Sequence, residues 1–265
     1  MSDTKIPQKA IDWMNSMNWG AHHDEWHYSR RFYYWPALAQ NHPDPAVRTE
    51  VQTMVDYATQ QNWSATQFQE GAVGSGLDFL AMHRAMLHLL IKEFPDLIHF
   101  FRGWETPPTD PTNSNDPVPD GSSFDMGKNR AIGVIAGIPS PFPSDDEFGR
   151  YLETPLRPSV SDPTLRDPNP ELGIHNYLHN RWSIDGSDIN LGDPKVNIFN
   201  ARFWRLHGWI DLQWWRFRQA KQFDDNAPEY RQIIDGYIHM MGHPMHHGHH
   251  APTRPKAFSR IFAIE

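Results

Sequence analysis

The chain has 265 residues, room for one large domain or two small ones around a filled core. It carries 24 basic and 32 acidic residues, a net charge of −8 with histidine neutral, so the electrostatic footprint of a nucleic-acid binder is not expected. Cysteine is absent while histidine and tryptophan reach 16 and 11, which excludes disulfides, zinc ribbons, iron–sulfur clusters and thiolate nucleophiles. Any bound metal must therefore use nitrogen or oxygen ligands, and imidazole suits zinc, copper, iron and nickel.

Helical periodicity dominates both ends, and strand-like alternation is scarce, so the fold class expected is mainly α. Residues 5–17 read as a short amphipathic helix. The start, MSDTKIPQKAIDW, lacks a basic-then-apolar export pattern, and no apolar run reaches the roughly 18–20 residues of a membrane span; a soluble, cytoplasmic protein is expected. A second helix is expected over Trp19 to Trp35, ended by Pro36. Asp44 followed by Pro45 marks a capped helix start, running to about Gln61. Leu77 to Phe94, apolar on most faces and closed by Pro95, reads as a buried central helix.

From 104 to 168 the chain is too rich in Pro, Ser and Asp for regular structure, yet it keeps apolar anchors at Phe124, Ile132, Ile135, Phe142 and Tyr151. We expect an ordered lid or wrap. Helical pattern returns over Pro170 to Trp182, breaks at IDGSDINLGDP, resumes from about Asn197 to Gln222, and recurs over Pro228 to Met241. The 242–265 tail opens with the His- and Met-containing run GHPMHHGHH. No repeat of solenoid period is present, and a single domain over 1–265 is expected.

Two helices carry histidines four residues apart, His23 with His27 and His175 with His179, a spacing that puts both imidazoles on one helical face. One such pair is weak evidence. Each pair, however, is followed by a helix with one histidine on an apolar face, His83 and then His207. Pair, single, pair, single reads as two sets of three imidazoles, one metal to each. The alternative for His83 and His207 is a core histidine satisfied by a backbone carbonyl.

These residues resemble the type 3 copper proteins: tyrosinases, catechol oxidases and hemocyanins. HNYLH at 175–179, followed by Phe203, His207 and Asp211 in an F-x-x-x-H-x-x-x-D element, is similar to the family's second copper signature. FLAMHRAML around His83 is similar to the element bearing the third ligand of the first copper. The chain departs from many tyrosinases at Gly74, where a ligand histidine is common; that role passes to His27, in a spacing closer to the hemocyanin and arthropod branch. Leu206 stands where a second adjacent histidine is frequent, and without cysteine no thioether crosslink can form.

The resemblance implies a four-helix bundle holding two copper ions through His23, His27, His83, His175, His179 and His207. It implies O2 as one partner and a small phenolic or aminophenolic substrate as the other. The implied reaction is ortho-hydroxylation of a phenol, or oxidation of a catechol or o-aminophenol to its quinone or quinone imine; the alternative is hemocyanin-like O2 binding without turnover. Asn176 with Glu171 upstream would hold the water that takes the phenol proton. For Glu171 the other reading is a helix N-terminal acid favoured by the macrodipole, and for Asn176 a helix-surface polar residue. Asp211 is a candidate acceptor orienting a ligand, or an exposed carboxylate. His22 diverges from His27 around the helix, His88 suits a place behind the ligands or in the core rather than a ligand role, and His42 and His99 read as ordinary. In the tail, His243, Met245, His246, His247, His249 and His250 mix thioether with imidazole, which suits copper capture or receipt from a copper donor, against the reading of a terminal segment with incidental affinity.

Overall fold

The structure is a computed structural model and describes residues 4–109, 124–153 and 169–244. The described residues form eleven α-helices and no strand. No described helix is long and apolar enough to cross a membrane.

Helix α1 (Gln8–Ser16) leads through Asn18, in the left-handed region at φ 59°, into α2 (Trp19–Ser29). The helix expected to run to Trp35 thus stops at Ser29, and α3 (Trp35–Asn41) begins where it was to end. Pro36 lies in the first turn of α3, where its missing N–H costs nothing, so here it opens a helix. Asp44 caps α4 (Pro45–Gln60) as expected, its Oδ1 accepting the Ala46 N–H at 2.8 Å. Together α3 and α4 enclose a small separate core of Tyr28, Tyr34, Trp35, Leu38, Val51, Met54 and Tyr57.

The central helix is α5 (Ser75–Glu93), buried on most of its faces. A short helix, α6 (Ile98–Phe101), follows. The region expected to be irregular contains two helices, α7 (Met126–Ala136) and α8 (Asp145–Glu153). Its anchors Phe124, Ile135, Phe142 and Tyr151 are buried, and Ile132 packs on the same core. Helix α8 lies directly against α5. A Cβ on Gly149 would sit 2.1 Å from the Gly76 carbonyl oxygen, so the two backbones touch. Asp146 Oδ1 accepts the Gly76 N–H at 2.9 Å, capping α5 from a neighbouring helix.

Helix α9 (Ile174–Arg181) starts four residues later than its periodicity suggests, because Gly173 takes φ 74° and begins the helix there. After the irregular stretch 184–196, Asn200 caps α10 (Ala201–Lys221) by accepting the Arg202 N–H at 3.0 Å. Helix α11 (Pro228–Met241) keeps the expected bounds and packs on α5. Trp19, Trp204, Trp209 and Trp214 are buried in the main core, while Trp215 is half exposed. The apolar faces of α5, α9 and α10 meet in this core, and the imidazoles lie among them.

Candidate metal centre

Four helices each bring imidazole to one place: α2 with His23 and His27, α5 with His83, α9 with His175 and His179, α10 with His207. His23, His83, His175 and His207 are at most 3% exposed. His23, His27 and His83 each place one ring nitrogen within 4.8 Å of the other two, and so do His83, His175 and His207. His83 therefore belongs to both groups, its ring stacked on His207 at 4.1 Å between centroids. His179 lies outside these tightest groups but adjoins them, at 4.5 Å from His175 and 5.4 Å from His207 between ring centroids.

The hydrogen bonds fix which nitrogen faces inward. His83 Nδ1 donates to the Phe79 carbonyl at 2.9 Å and His207 Nδ1 to the Phe203 carbonyl at 2.8 Å, each four residues back on its own helix. His23 Nδ1 donates to Pro194 O and His179 Nδ1 to Leu191 O, both at 2.7 Å, from the 184–196 stretch. His175 Nδ1 meets Asn176 Oδ1 at 3.0 Å. These oxygens only accept, so five of the six rings carry their proton on Nδ1 and present a bare lone pair at Nε2.

Those lone pairs point at one another. The Nε2 atoms of His23 and His83 are 3.4 Å apart, those of His23 and His27 3.2 Å, and those of His175 and His207 3.1 Å. In the His23–His83 and His175–His207 contacts neither Nε2 has a proton to share, so these two are repulsive unless a cation lies between them. Nitrogens bound at about 2.0–2.1 Å to a common tetrahedral ion sit about 3.3–3.4 Å apart, close to these separations. His179 Nε2 is buried with no hydrogen-bond partner, a further unpartnered lone pair at the same place. Protonation is not the remedy: burial lowers the pKa of His23 to about 3 and of His179 to about 4, and holds His27, His83, His175 and His207 well below the usual histidine range. Neutral, desolvated, preoriented imidazoles fit a metal ion.

The two single-histidine helices match each other. Phe79 and Phe203 stand four residues before His83 and His207, and each also packs on the opposite half, Phe79 on His175 and Phe203 on His23. A cleft of about 20 Å³ opens above His27, His175 and His179, with Arg31, Asn176 and Asn197 on its walls. Asn197 Oδ1 is buried there without a partner.

Several expected roles are corrected by the surroundings. Glu171 precedes α9, off its histidine face; it accepts from Arg130 Nε and from the Tyr151 hydroxyl, both at 3.0 Å. Those two bonds lower its pKa, so it is a poor proton acceptor. Asn176 orients His175 directly. Asp211 takes no ligand proton: it pairs with Arg84 Nε at 2.5 Å and ties α10 to α5, while the Phe203 carbonyl holds His207. His22 is buried outside both groups, and His88 is exposed rather than in the core, near Arg84 and Asp211. His243 is exposed, its Nδ1 on His239 O at 2.7 Å; Met245, His246, His247, His249 and His250 lie outside the described residues.

Other contributors carried no sequence signal. The Pro194 and Leu191 carbonyls are backbone groups with no residue signature. Trp26 lies edge-on to His27 and His83, and nothing in the sequence beyond its place directly before His27 points to it. Comparison of the chain with models of known protein families, with curated proteins and with solved structures finds no match.

Proposed function

We propose that the six histidines hold two copper ions and that the protein uses O2 to oxidise a small phenol, catechol or aminophenol. The observation that carries this reading is the set of Nδ1-anchored imidazoles whose bare Nε2 atoms converge at 3.1–3.4 Å. Irving–Williams preference favours copper(II) for an all-imidazole site. A copper pair held by these histidines would supply O2 binding and two-electron oxidation of the substrate.

The chain's own residues divide the remaining work. His23, His27 and His83 would hold one ion and His175, His179 and His207 the other, with His83 and His207 stacked where the two sets meet. The four helices that carry them are the bundle of this reading. Backbone carbonyls and Asn176 keep the rings in the ligating tautomer. Phe79 and Phe203 pack against the imidazoles and keep water from them on the buried side. Substrate would approach by the cleft, where Asn197 Oδ1 is available to a hydroxyl or amino donor. Glu171 is engaged with Arg130 and Tyr151, so proton removal from a phenol would fall to water held near Asn176.

One observation favours a second reading, reversible O2 binding without turnover. The cleft's 20 Å³ is little more than the roughly 10–15 Å³ one water needs, small for a phenol ring. Metal analysis and absorption spectra, with a catechol then added, separate the readings. Two coppers per chain, a strong near-ultraviolet band on exposure to O2, and quinone formation are expected. A reversible band without quinone would replace the enzyme by the carrier, and a single copper per chain would end the dinuclear reading.

A further inference from the structure

Behind the first histidine group lies a line of aromatic and charged side chains that the proposed chemistry does not use. Trp26 meets His27 edge-on at 4.8 Å between centroids and His83 at 5.5 Å. Its indole N–H donates to the Tyr237 hydroxyl at 3.1 Å, and that hydroxyl donates in a short bond to Asp78 Oδ1. Tyr237 and Asp78 in turn line a cavity of about 640 Å³ between α5 and α11, with Phe68, Leu77, Ile233 and Met240. Ring contact and hydrogen bonds thus run unbroken from the imidazoles to a space far larger than the cleft above them.

We propose that Trp26 and Tyr237 form a redox pair that carries oxidising equivalents from the histidine centre to this cavity, where a small hydrogen-atom donor of the ascorbate or hydroquinone class quenches them. The inference rests on the redox-metal reading of the centre. A centre that handles O2 without substrate in place can meet hydrogen peroxide, and a copper(I) ion held by His23, His27 and His83 would supply the one electron that splits it into hydroxide and a hydroxyl radical, leaving copper(II). The ligand imidazoles are the nearest targets of that radical.

The pair offers it a better one. The hydroxyl radical gains one electron and becomes hydroxide. Tyr237 supplies that electron through Trp26, and its phenolic proton passes to the Asp78 carboxylate along the existing hydrogen bond. What remains is a neutral tyrosyl radical at the cavity. A donor bound there returns one hydrogen atom to the phenoxyl oxygen and leaves as its own radical, while Asp78 releases its proton to solvent. Arg30 sets the direction: its guanidinium carbon lies 4.1 Å from the Trp26 ring centroid, which disfavours a cationic indole. The oxidised phenol has lost its proton and bears no charge, so the hole passes through Trp26 and rests on Tyr237. Arg30 is itself held by Glu153 and Asp78, which keeps it over the indole.

The test uses the copper-loaded full chain, with copper measured first. The protein is reduced without O2, mixed with hydrogen peroxide without phenolic substrate, freeze-quenched, and read by electron paramagnetic resonance and by mass spectrometry of oxidised histidine. A neutral tyrosyl signal is expected; it falls to background in Tyr237→Phe and in Trp26→Phe, while oxidation of His27 and His83 rises in both. Tyr177→Phe, which removes a hydroxyl bonded to Asp125 N and Arg181 rather than to Trp26 or Asp78, keeps the signal. Copper content and circular dichroism equal to wild type show that each variant is folded; where Tyr237→Phe is not, fluorotyrosine at position 237 must alter the hyperfine pattern. Ascorbate should abolish the signal faster in wild type than in Gly236→Leu, which narrows the cavity. An unchanged signal in Tyr237→Phe, or no tyrosyl signal from copper-loaded wild type, overturns the relay alone. A chain that binds no copper overturns the metal reading and the relay with it.

Discussion

Lowering the pH on the metal-free protein should unfold it well before ordinary acid denaturation. All six cluster histidines are neutral in the fold because burial removes the water that would solvate their charge. Unfolded, each returns to a pKa near 6.5 and takes up a proton. A folded pKa below the unfolded one gives stability that is present above about pH 6.5 and lost as pH falls towards the folded value. Between about pH 7 and pH 5.5 each ring costs about 1.3 kcal/mol, or roughly 7–8 kcal/mol for six, against a typical total of about 5–15 kcal/mol. Urea denaturation followed by circular dichroism across that window measures the loss. Replacing His83 by Gln should reduce the slope by roughly one sixth, which isolates the histidines from every other titrating group. A stability flat across the window, or a slope indifferent to that replacement, would refute the claim that the rings are buried and neutral. As long as the chain stays folded, its copper affinity should vary little over the same range, since no proton has to leave before the ion enters.

Two further outcomes follow from single contacts. Gly149→Ala drives a methyl into the Gly76 carbonyl where α8 crosses α5, and should cost about 1–3 kcal/mol by thermal denaturation; an unchanged melting temperature would mean that the helices are not in backbone contact. Asn176→Ala removes the acceptor on His175 Nδ1 and should weaken copper binding roughly 10–100-fold in competition with a chelator, with no second change of comparable size from Glu171→Ala.

The parts of the fold legible from the sequence are those in which one helix decides its own limits. Helix α11 keeps its expected bounds, and α4 and α10 stay within a few residues of theirs, because caps, prolines and a 3.6-residue pattern all act locally. What escaped depends on neighbours. Helix α8 sits in a Pro-rich stretch and pairs with α5 through two glycines, whose value is the absence of a side chain. Pro36 looked like a stop because proline limits the residue before it, yet the first-turn position it occupies tolerates it equally well. In the candidate site the six imidazoles were legible from spacing, and the structure brings them together. The roles given to Glu171 and Asp211 were not reliable, since a carboxylate's partner is chosen by the fold: Arg130 and Tyr151 for one, Arg84 for the other. The same spacing that revealed Phe203 and His207 also holds for Phe79 and His83, and there it marked the carbonyl that orients each ring.

The stretch 184–196 holds one histidine from each set, His23 through the Pro194 carbonyl and His179 through that of Leu191. Its backbone also presses on α2, with Lys195 O 2.5 Å from where a Cβ on Gly20 would stand. A single connector therefore acts as a template for both halves at once. Neither half can relax, or be retuned by substitution, without passing the disturbance to its counterpart. Metal uptake should then be cooperative, with molecules sorting into fully loaded and empty populations and few in between.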